Sequence, residues 1–196
     1  MKATKNMTHL SLEKLEGREV PAQVYTLQGV LFIRCDNTSD TVNVRAINGG
    51  RDGNIYIDVN RATYWVKASS VWAHKVQFYG NGGNDTFRNW YGNINSIGFG
   101  GDGNDTFEGG NWEDDFYGGR DNDGMFGFGG NDWLFGEGGW DQLYGGDGND
   151  HLNGGDDGWV DQLAGGPGYN WYQQDWQVRN GRWVNVDDPG HYTFDS

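Results

Sequence analysis

Between residues 100 and 173 a large apolar side chain recurs every nine residues. The series is Phe107, Phe116, Met125, Leu134, Leu143 and Leu152, then Leu163 and Tyr172 after one longer interval. Each apolar residue is the middle of a three-residue strand and points inward, while its two neighbours face out. Upstream the pattern becomes alternation. Val42, Val44 and Ala46 alternate with Asn43 and Arg45, and Ile55, Ile57 and Val59 alternate with Tyr56 and Asp58. A polar, glycine-rich turn at 48–54 lies between them, which is a hairpin signature. Residues 24–33, 62–66 and 71–78 are further candidate strands. Beyond 173, Trp176, Val178, Trp183, Val184 and Val186 surround Asn180-Gly181 and read as a closing hairpin or cap. A cap is expected because an uncovered strand edge invites aggregation.

The polar positions repeat with the same period. Rows of nine open on Gly100, Gly109, Gly118, Gly127, Gly136 and Gly145; the row from Gly154 is two residues longer, and a last row opens on Gly165. The sixth place holds Asp105, Asp114, Asp123, Asp132, Asp141 and Asp150, with Asp161 in the long row and Asn170 in the last. An earlier row from Gly80 carries Asp85, and 89–99 interrupts the series with Ile94 and Ile97. Asp40-Thr41-Val42 echoes the same Asp-x-apolar core. Residues 23–79 therefore read either as a degenerate start of the stack or as a separate antiparallel cap.

One row gives a turn and a strand, so two rows, 18 residues, complete a coil and each row lies on the second one after it. Asp85, Asp105, Asp123, Asp141 and Asp161 then line one edge, and Asp114, Asp132 and Asp150, ending at Asn170, line the other. Glycine at the first, second and fourth places lets the turn adopt positive φ and aim carbonyl oxygens at one point, where the Asp adds a carboxylate. Calcium is a hard cation that takes six to eight oxygens in irregular geometry. Stacked carboxylates about 4.8 Å apart repel unless a cation lies between them. Trp112 stands in place of the fourth glycine, which weakens the site at Asp114. Asp121 replaces another fourth glycine, and Phe128 and Glu137 replace second ones.

The unit Gly-Gly-x-Gly-x-Asp-x-(large apolar)-x resembles the calcium-binding nonapeptide of RTX proteins, over about half of the chain, 80–173. The resemblance implies an all-β fold, a parallel β-roll or β-helix solenoid of calcium-binding repeats with flanking β caps. It also implies that the eight Asp residues from Asp85 to Asp161, with adjacent loop carbonyls, hold several calcium ions. The organisation expected is a leader at 1–22, an N-terminal β segment or cap at 23–79, the β-roll at 80–173 and a C-terminal cap at 174–196. Within the leader, Leu-Glu-Gly-Arg-Glu-Val-Pro-Ala at 15–22 resembles a segment that opens many large exported repeat proteins, and reads equally well as an unstructured tail.

Charge and composition narrow the partners. A net charge of −14 argues against nucleic acid and against an anionic membrane surface, and about seven divalent ions would balance it. With 35 Gly but ten each of Trp, Tyr and Phe, the chain is no flexible linker. No apolar run is long enough for a membrane span. The single cysteine, Cys35, excludes an internal disulfide and sits in no cysteine-protease context. One large side chain per nine residues makes a thin core, worth about 1.5–3 kcal/mol per row against an ordering cost on the order of 1–2 kcal/mol per residue. Metal binding is therefore expected to belong to the folding free energy.

Several outward positions carry aromatics where polar residues would suffice. Tyr117 and Phe135 are 18 apart on one face with Trp133, His151 and Trp171 beside them, and Phe126 and Tyr144 are 18 apart on the other. Such ladders mark a docking surface, or serve the fold by stabilising neighbouring strands. None of His9, His74, His151 and His191 lies in a metalloprotease motif, and no Gly-x-Ser-x-Gly occurs. The expectation is a non-enzymatic, extracellular or cell-surface calcium module with a structural or adhesive role, self-associating through its aromatic faces. The alternative is a carbohydrate-binding module that uses those ladders. The third places of the rows form no Thr/Asn array of the kind ice binding needs.

Overall fold

The computed structural model describes residues 22–46, 53–91, 94–173, 176–179 and 182–185; the leader at 1–21 and most of the C-terminal segment lie outside them. The first strands are β1 (Ala22–Leu27), β2 (Val30–Cys35), β3 (Thr41–Arg45), β4 (Asn54–Val59), β5 (Ala62–Lys67) and β6 (Lys75–Gly82). The middle of the chain supplies β7 (Thr86–Asn89), β8 (Asn95–Asp102), β9 (Thr106–Glu108), β10 (Asp115–Arg120), β11 (Gly124–Gly129) and β12 (Trp133–Glu137). Then come β13 (Gln142–Asp147), β14 (His151–Asn153), β15 (Gln162–Ala164), β16 (Trp171–Gln173), β17 (Trp176–Arg179) and β18 (Arg182–Asn185).

The fold is an all-β solenoid. One sheet stacks β2, β6, β8, β10, β12, β14 and β16 in parallel, with β1 antiparallel beyond β2. The other stacks β3, β7, β9, β11, β13 and β15 in parallel, with β4 and β5 added antiparallel beyond β3. Residues 22–79 thus contribute both coils and cover: β2, β3 and β6 belong to the stack, while β1 and the β4–β5 hairpin close its first end. β17 and β18 pair with each other, Trp176 opposite Asn185.

Register follows row length. Neighbours are 18 apart where both rows have nine residues, as in Asp115↔Trp133 and Phe126↔Tyr144. They are 20 apart where a row is longer, as in Phe87↔Phe107 and Leu143↔Leu163. One residue of slip would turn every inward side chain outward, so the long rows place their extra residues in the turns.

Two inward columns make the core. Ile33, Phe78, Gly98, Phe116, Leu134, Leu152 and Tyr172 follow one another in the first sheet. Val42, Phe87, Phe107, Met125, Leu143 and Leu163 do so in the second. All but the terminal Leu163 and Tyr172 are fully buried or, for Gly98, buried without a side chain. The glycine is a packing device. A Cβ there would lie 2.4 Å from Cε1 of Phe107, and the vacancy lets Phe107 and Phe116 stack at 5.0 Å across the core. The stretch expected as an interruption is therefore a row: Ser96 holds the sixth place, Gly98 the eighth and Phe99 the ninth. Its turn is tied by Asn89, whose buried Nδ2 donates to the Ile94 carbonyl and to Ser96 Oγ.

The first coils bury much more than one residue per row, with Val44, Ile55, Ile57, Val59, Val66, Val71 and Val76 all inside. Among the described residues no helix is long and apolar enough to cross a membrane.

Gly98→Ala should destabilise the folded chain by about 1–3 kcal/mol, because the added methyl overpacks two rings. Gly124→Ala meets nothing closer than 3.8 Å at an ordinary φ and should be neutral or slightly stabilising. Thermal unfolding of the two variants checks the contrast.

Candidate metal centre

The turns between sheets build the site. At the second place Gly101 and Gly119 take φ of 109° and 116°, and at the fourth Gly103 and Gly139 take 118° and 125°. The first-place glycines behave differently from the sequence expectation. They are not left-handed; they make room. A Cβ on Gly100 would lie 2.1 Å from Asp105 Oδ2 and 2.5 Å from the Gly118 carbonyl, and the same holds at Gly80, Gly109, Gly118, Gly127 and Gly136 within 2.0–2.8 Å. Each sixth-place carboxylate folds back beneath the glycine that opens its own row.

This packing buries all eight predicted residues, Asp85, Asp105, Asp114, Asp123, Asp132, Asp141, Asp150 and Asp161, each at 5 % exposure or less. It also brings them into two ladders. Along the first edge the backbone N–H of Asp85 donates to Asp105 Oδ1, Asp105 to Asp123, Asp123 to Asp141 and Asp141 to Asp161, at 2.7–2.8 Å. Along the second, Asp114 donates to Asp132, Asp132 to Asp150 and Asp150 to Asn170, at 2.8–3.0 Å. One oxygen of every carboxylate is thereby satisfied by the coil before it.

In most of them the other oxygen is not. Oδ2 of Asp40, Asp85, Asp105, Asp123, Asp132, Asp141 and Asp150 is buried without a hydrogen bond. At Asp85, Asp105, Asp123, Asp132 and Asp141 it faces the same small space as a backbone carbonyl oxygen of the next coil. A buried carboxylate oxygen left near a carbonyl oxygen without a donor is costly, and a proton or a cation bound nearby would relieve that cost. Among the described residues no three acidic, His or Cys side chains converge, so a metal here would take carboxylate and backbone carbonyl oxygens together, the ligand chemistry of calcium. Asp114 is the exception. Its row has ordinary φ at Gly110 and Trp112, and the Gly110 N–H donates to Asp114 Oδ2 at 2.8 Å. The bulky Trp112 is accommodated by a different turn, and that turn satisfies the carboxylate without a cation.

Burial drives the electrostatics. It pushes Asp85, Asp105 and Asp114 up to about 7, Asp132 to about 8, Asp123 to about 9 and Asp141 to about 6. The accepted N–H bonds act in the opposite direction, and neighbouring carboxylates raise most of them further. Cys35 is buried, and burial together with Asp40 and Asp85 holds it as the thiol.

Three features escaped sequence reasoning. Asp40 heads the first ladder: its N–H donates to Asp85 Oδ1 at 2.7 Å, and its own Oδ1 accepts from Asn60. The Asp-x-apolar echo at 40–42 was the available signal. Asn at the fifth place forms a ladder of its own, Asn122 N–H to Asn104 Oδ1 and Asn104 N–H to Asn84 Oδ1, at 2.8 and 3.0 Å. The Asn-Asp dipeptide of those rows carries that signal. Tyr79 and Phe99 extend the outward aromatics, marked by the aromatic-Gly step that also precedes Gly118 and Gly136.

On the first sheet Tyr79, Phe99, Tyr117 and Phe135 stack at 4.9–5.1 Å with planes within 13°. The Arg34 guanidinium closes that column, 4.7 Å from the Tyr79 ring centre. Trp133, His151 and Trp171 stack beside it at 4.3 and 3.9 Å. On the second sheet Phe126 and Tyr144 stack at 5.0 Å, Arg88 pairs with Glu108, and Tyr56 and Trp65 lie beneath the Arg45 and Lys67 cations at the hairpin end. Compared with models of protein families, with curated proteins and with solved structures, the chain gives no match.

With calcium chelated, acid should stabilise the fold. The buried carboxyls hold protons up to about pH 6–9, whereas in the unfolded chain they release them near pH 4. The contribution is full below about pH 4 and is lost as pH rises through the folded values. Circular dichroism in chelator should show β structure at pH 5 and lose it at pH 9. A signal equally strong at both would contradict the assignment.

Proposed function

We propose that the chain is an extracellular, non-enzymatic calcium-binding β-solenoid with a structural or adhesive role, whose later coils fold when calcium binds. The observation that carries this reading is the line of buried, unpaired Oδ2 atoms, those of Asp85, Asp105, Asp123, Asp132 and Asp141 lying beside a carbonyl oxygen of the next coil. Asp85, Asp105, Asp123 and Asp141 would hold calcium on the first edge, joined by Asp161, and Asp132 and Asp150 on the second. Bound calcium would neutralise the carboxylates and tie successive coils together. The net charge of −14 supports the same counter-ion demand. Sites in extracellular calcium modules have dissociation constants of roughly 10⁻⁴–10⁻³ M, which keeps such a chain unfolded at cytosolic calcium and folded outside.

Sites should differ in a defined way. Asp123→Asn removes a charge but keeps the Oδ1 acceptor, so it should stabilise the chelated protein and weaken the calcium-loaded one by about 1–3 kcal/mol. Asp114→Asn should leave the number of bound calcium ions unchanged, since Gly110 already satisfies that carboxylate. Calorimetric titration combined with hydrogen exchange tests both. Without calcium at pH 8, protection should survive in 22–79 and vanish from 100–173; protection unaffected by chelator would sink the proposal.

The aromatic column of the first sheet supports self-association. Its rings spend their faces on one another and present edges outward, a surface that fits a second apolar sheet better than it fits sugar rings, which need open aromatic faces. Tyr117→Ser combined with Phe135→Ser should abolish any calcium-dependent dimer or fibre seen in sedimentation. A wild-type chain that stays monomeric at high concentration in calcium would remove the self-association part of the proposal.

A further inference from the structure

Two departures from the row pattern put large aromatics on the same edge. Phe128 occupies a second place where Gly146 and Gly166 stand in the next rows of that edge. It does so at φ 73°, a conformation strained for a bulky residue, and it is 54 % exposed. Its one ring neighbour is Phe126, at 6.4 Å and tilted. Trp112 occupies a fourth place, is 49 % exposed, and has forced its turn into the alternative form described above. Neither residue contributes to the core, and each complicates the local fold. Strain of this kind, held on an exposed turn, points to function.

Both residues border shallow hollows that adjoin at Asn111. The larger, about 440 Å³, is lined by Trp112 with Asn95, Asn131, Glu113 and Asp147. The smaller, about 310 Å³, lies between Trp90 and Phe128. Each is within the size range of small-ligand sites, roughly 300–1,000 Å³. Trp90 and Trp112 are open to solvent, in contrast to the mutually stacked rings of the sheet face. Asn131 Oδ1 is taken by the Asn149 N–H, which leaves its NH₂ as a donor. No Lys, Arg or His lines either hollow; Glu113 and Asp147 make the larger one acidic, while Glu108 of the smaller is paired to Arg88.

We infer that these adjoining hollows bind a neutral oligosaccharide, one pyranose unit against Trp112 and the next between Trp90 and Phe128. The chemistry is selective at each step. The acidic lining of the larger hollow disfavours phosphate, sulfate and uronate groups. The Asn131 amide donor beside carboxylate acceptors matches hydroxyls, which both give and take hydrogen bonds. A cationic ligand would use the carboxylates and rings but leave the Asn131 donor facing positive charge. The open indole faces suit the C–H face of a sugar ring. Two hollows sharing Asn111 set a minimum ligand of two units.

The inference goes beyond the calcium reading and requires only folded coils, so the test is run on full-length chain in whichever condition shows the β signal. A panel of neutral gluco-, manno-, galacto- and N-acetylglucosamine oligosaccharides of two to six units, each defined as a probe, is titrated by calorimetry alongside a trimethyllysine peptide. At least one neutral oligosaccharide should bind. Trp112→Ala should weaken it by about tenfold or more without loss of β signal, an effect of the size expected for one aromatic contact. Phe128→Gly is the sharper variant: it relieves the left-handed strain, so it should raise the melting temperature while weakening the sugar. Binding untouched by Phe128→Gly, a lowered melting temperature in that variant, no neutral sugar bound by folded wild type, or binding of the cationic peptide alone would each overturn the inference.

Discussion

Everything in the later coils depends on a carboxylate buried at the same place in each half-turn. It is inside because the row opens on a residue with no Cβ. Once inside, its Oδ1 accepts the backbone N–H of the coil before, at 2.7–3.0 Å, and so knits the stack along its axis. At Asp85, Asp105, Asp123, Asp132 and Asp141 its Oδ2 is left near a carbonyl oxygen. Removing an ion from water without a partner costs several kcal/mol, which is more than one buried side chain per nine residues returns. Neutralising these carboxylates, by protons or by a bound cation, would therefore stabilise the architecture.

The same stack also shows how the problem is avoided. In the column that leads into the second ladder, Leu31 is followed by Val76, then Ser96, then Asp114. On the other edge Asp40 and Asp85 already occupy the place filled by carboxylates in later coils, whereas on this edge that place is filled by aliphatic side chains in the first ones. There the interior is supplemented by the β4–β5 hairpin, which brings Ile55, Ile57, Val59 and Val66 into the core. One solenoid thus joins an end with a larger apolar interior to an end lined by buried carboxylates. The first coils offer a preformed edge, so adding a coil to them avoids the entropic cost of nucleating the stack.

Period alone made most of the fold legible. Phe107 to Leu152 announced the inner columns, and the 18-residue offset placed Tyr117 over Phe135 and Phe126 over Tyr144, as observed. The Asp positions were legible for the same reason, though not the split between their two oxygens, which is a matter of atomic packing. What was lost lay where one residue broke the pattern for a local reason. Gly98 disguised a row because its missing side chain houses Phe107 from the opposite sheet, a contact between residues nine apart across the core. Asp40 was legible as an echo of the repeat but not as a member of the ladder, because its coil lacks the glycine-rich turn. The first-place glycine invited a dihedral explanation when its role is steric.

The aromatic residues divide by geometry, and that division constrains what each can do. On a sheet face the strand spacing of about 4.8 Å leaves outward rings in successive coils no choice but to stack, as the column from Tyr79 to Phe135 does with planes within 13°. Their faces are consumed by the fold. In the turns the backbone departs from the sheet, and neither Trp90 nor Trp112 is drawn into a ring stack there, although both are exposed. The turns of a parallel solenoid are therefore where an aromatic face is most readily left open to a ligand. The cost appears where it should: in the turn that had to change to admit Trp112, and at Phe128, held in a conformation that glycine would adopt without strain.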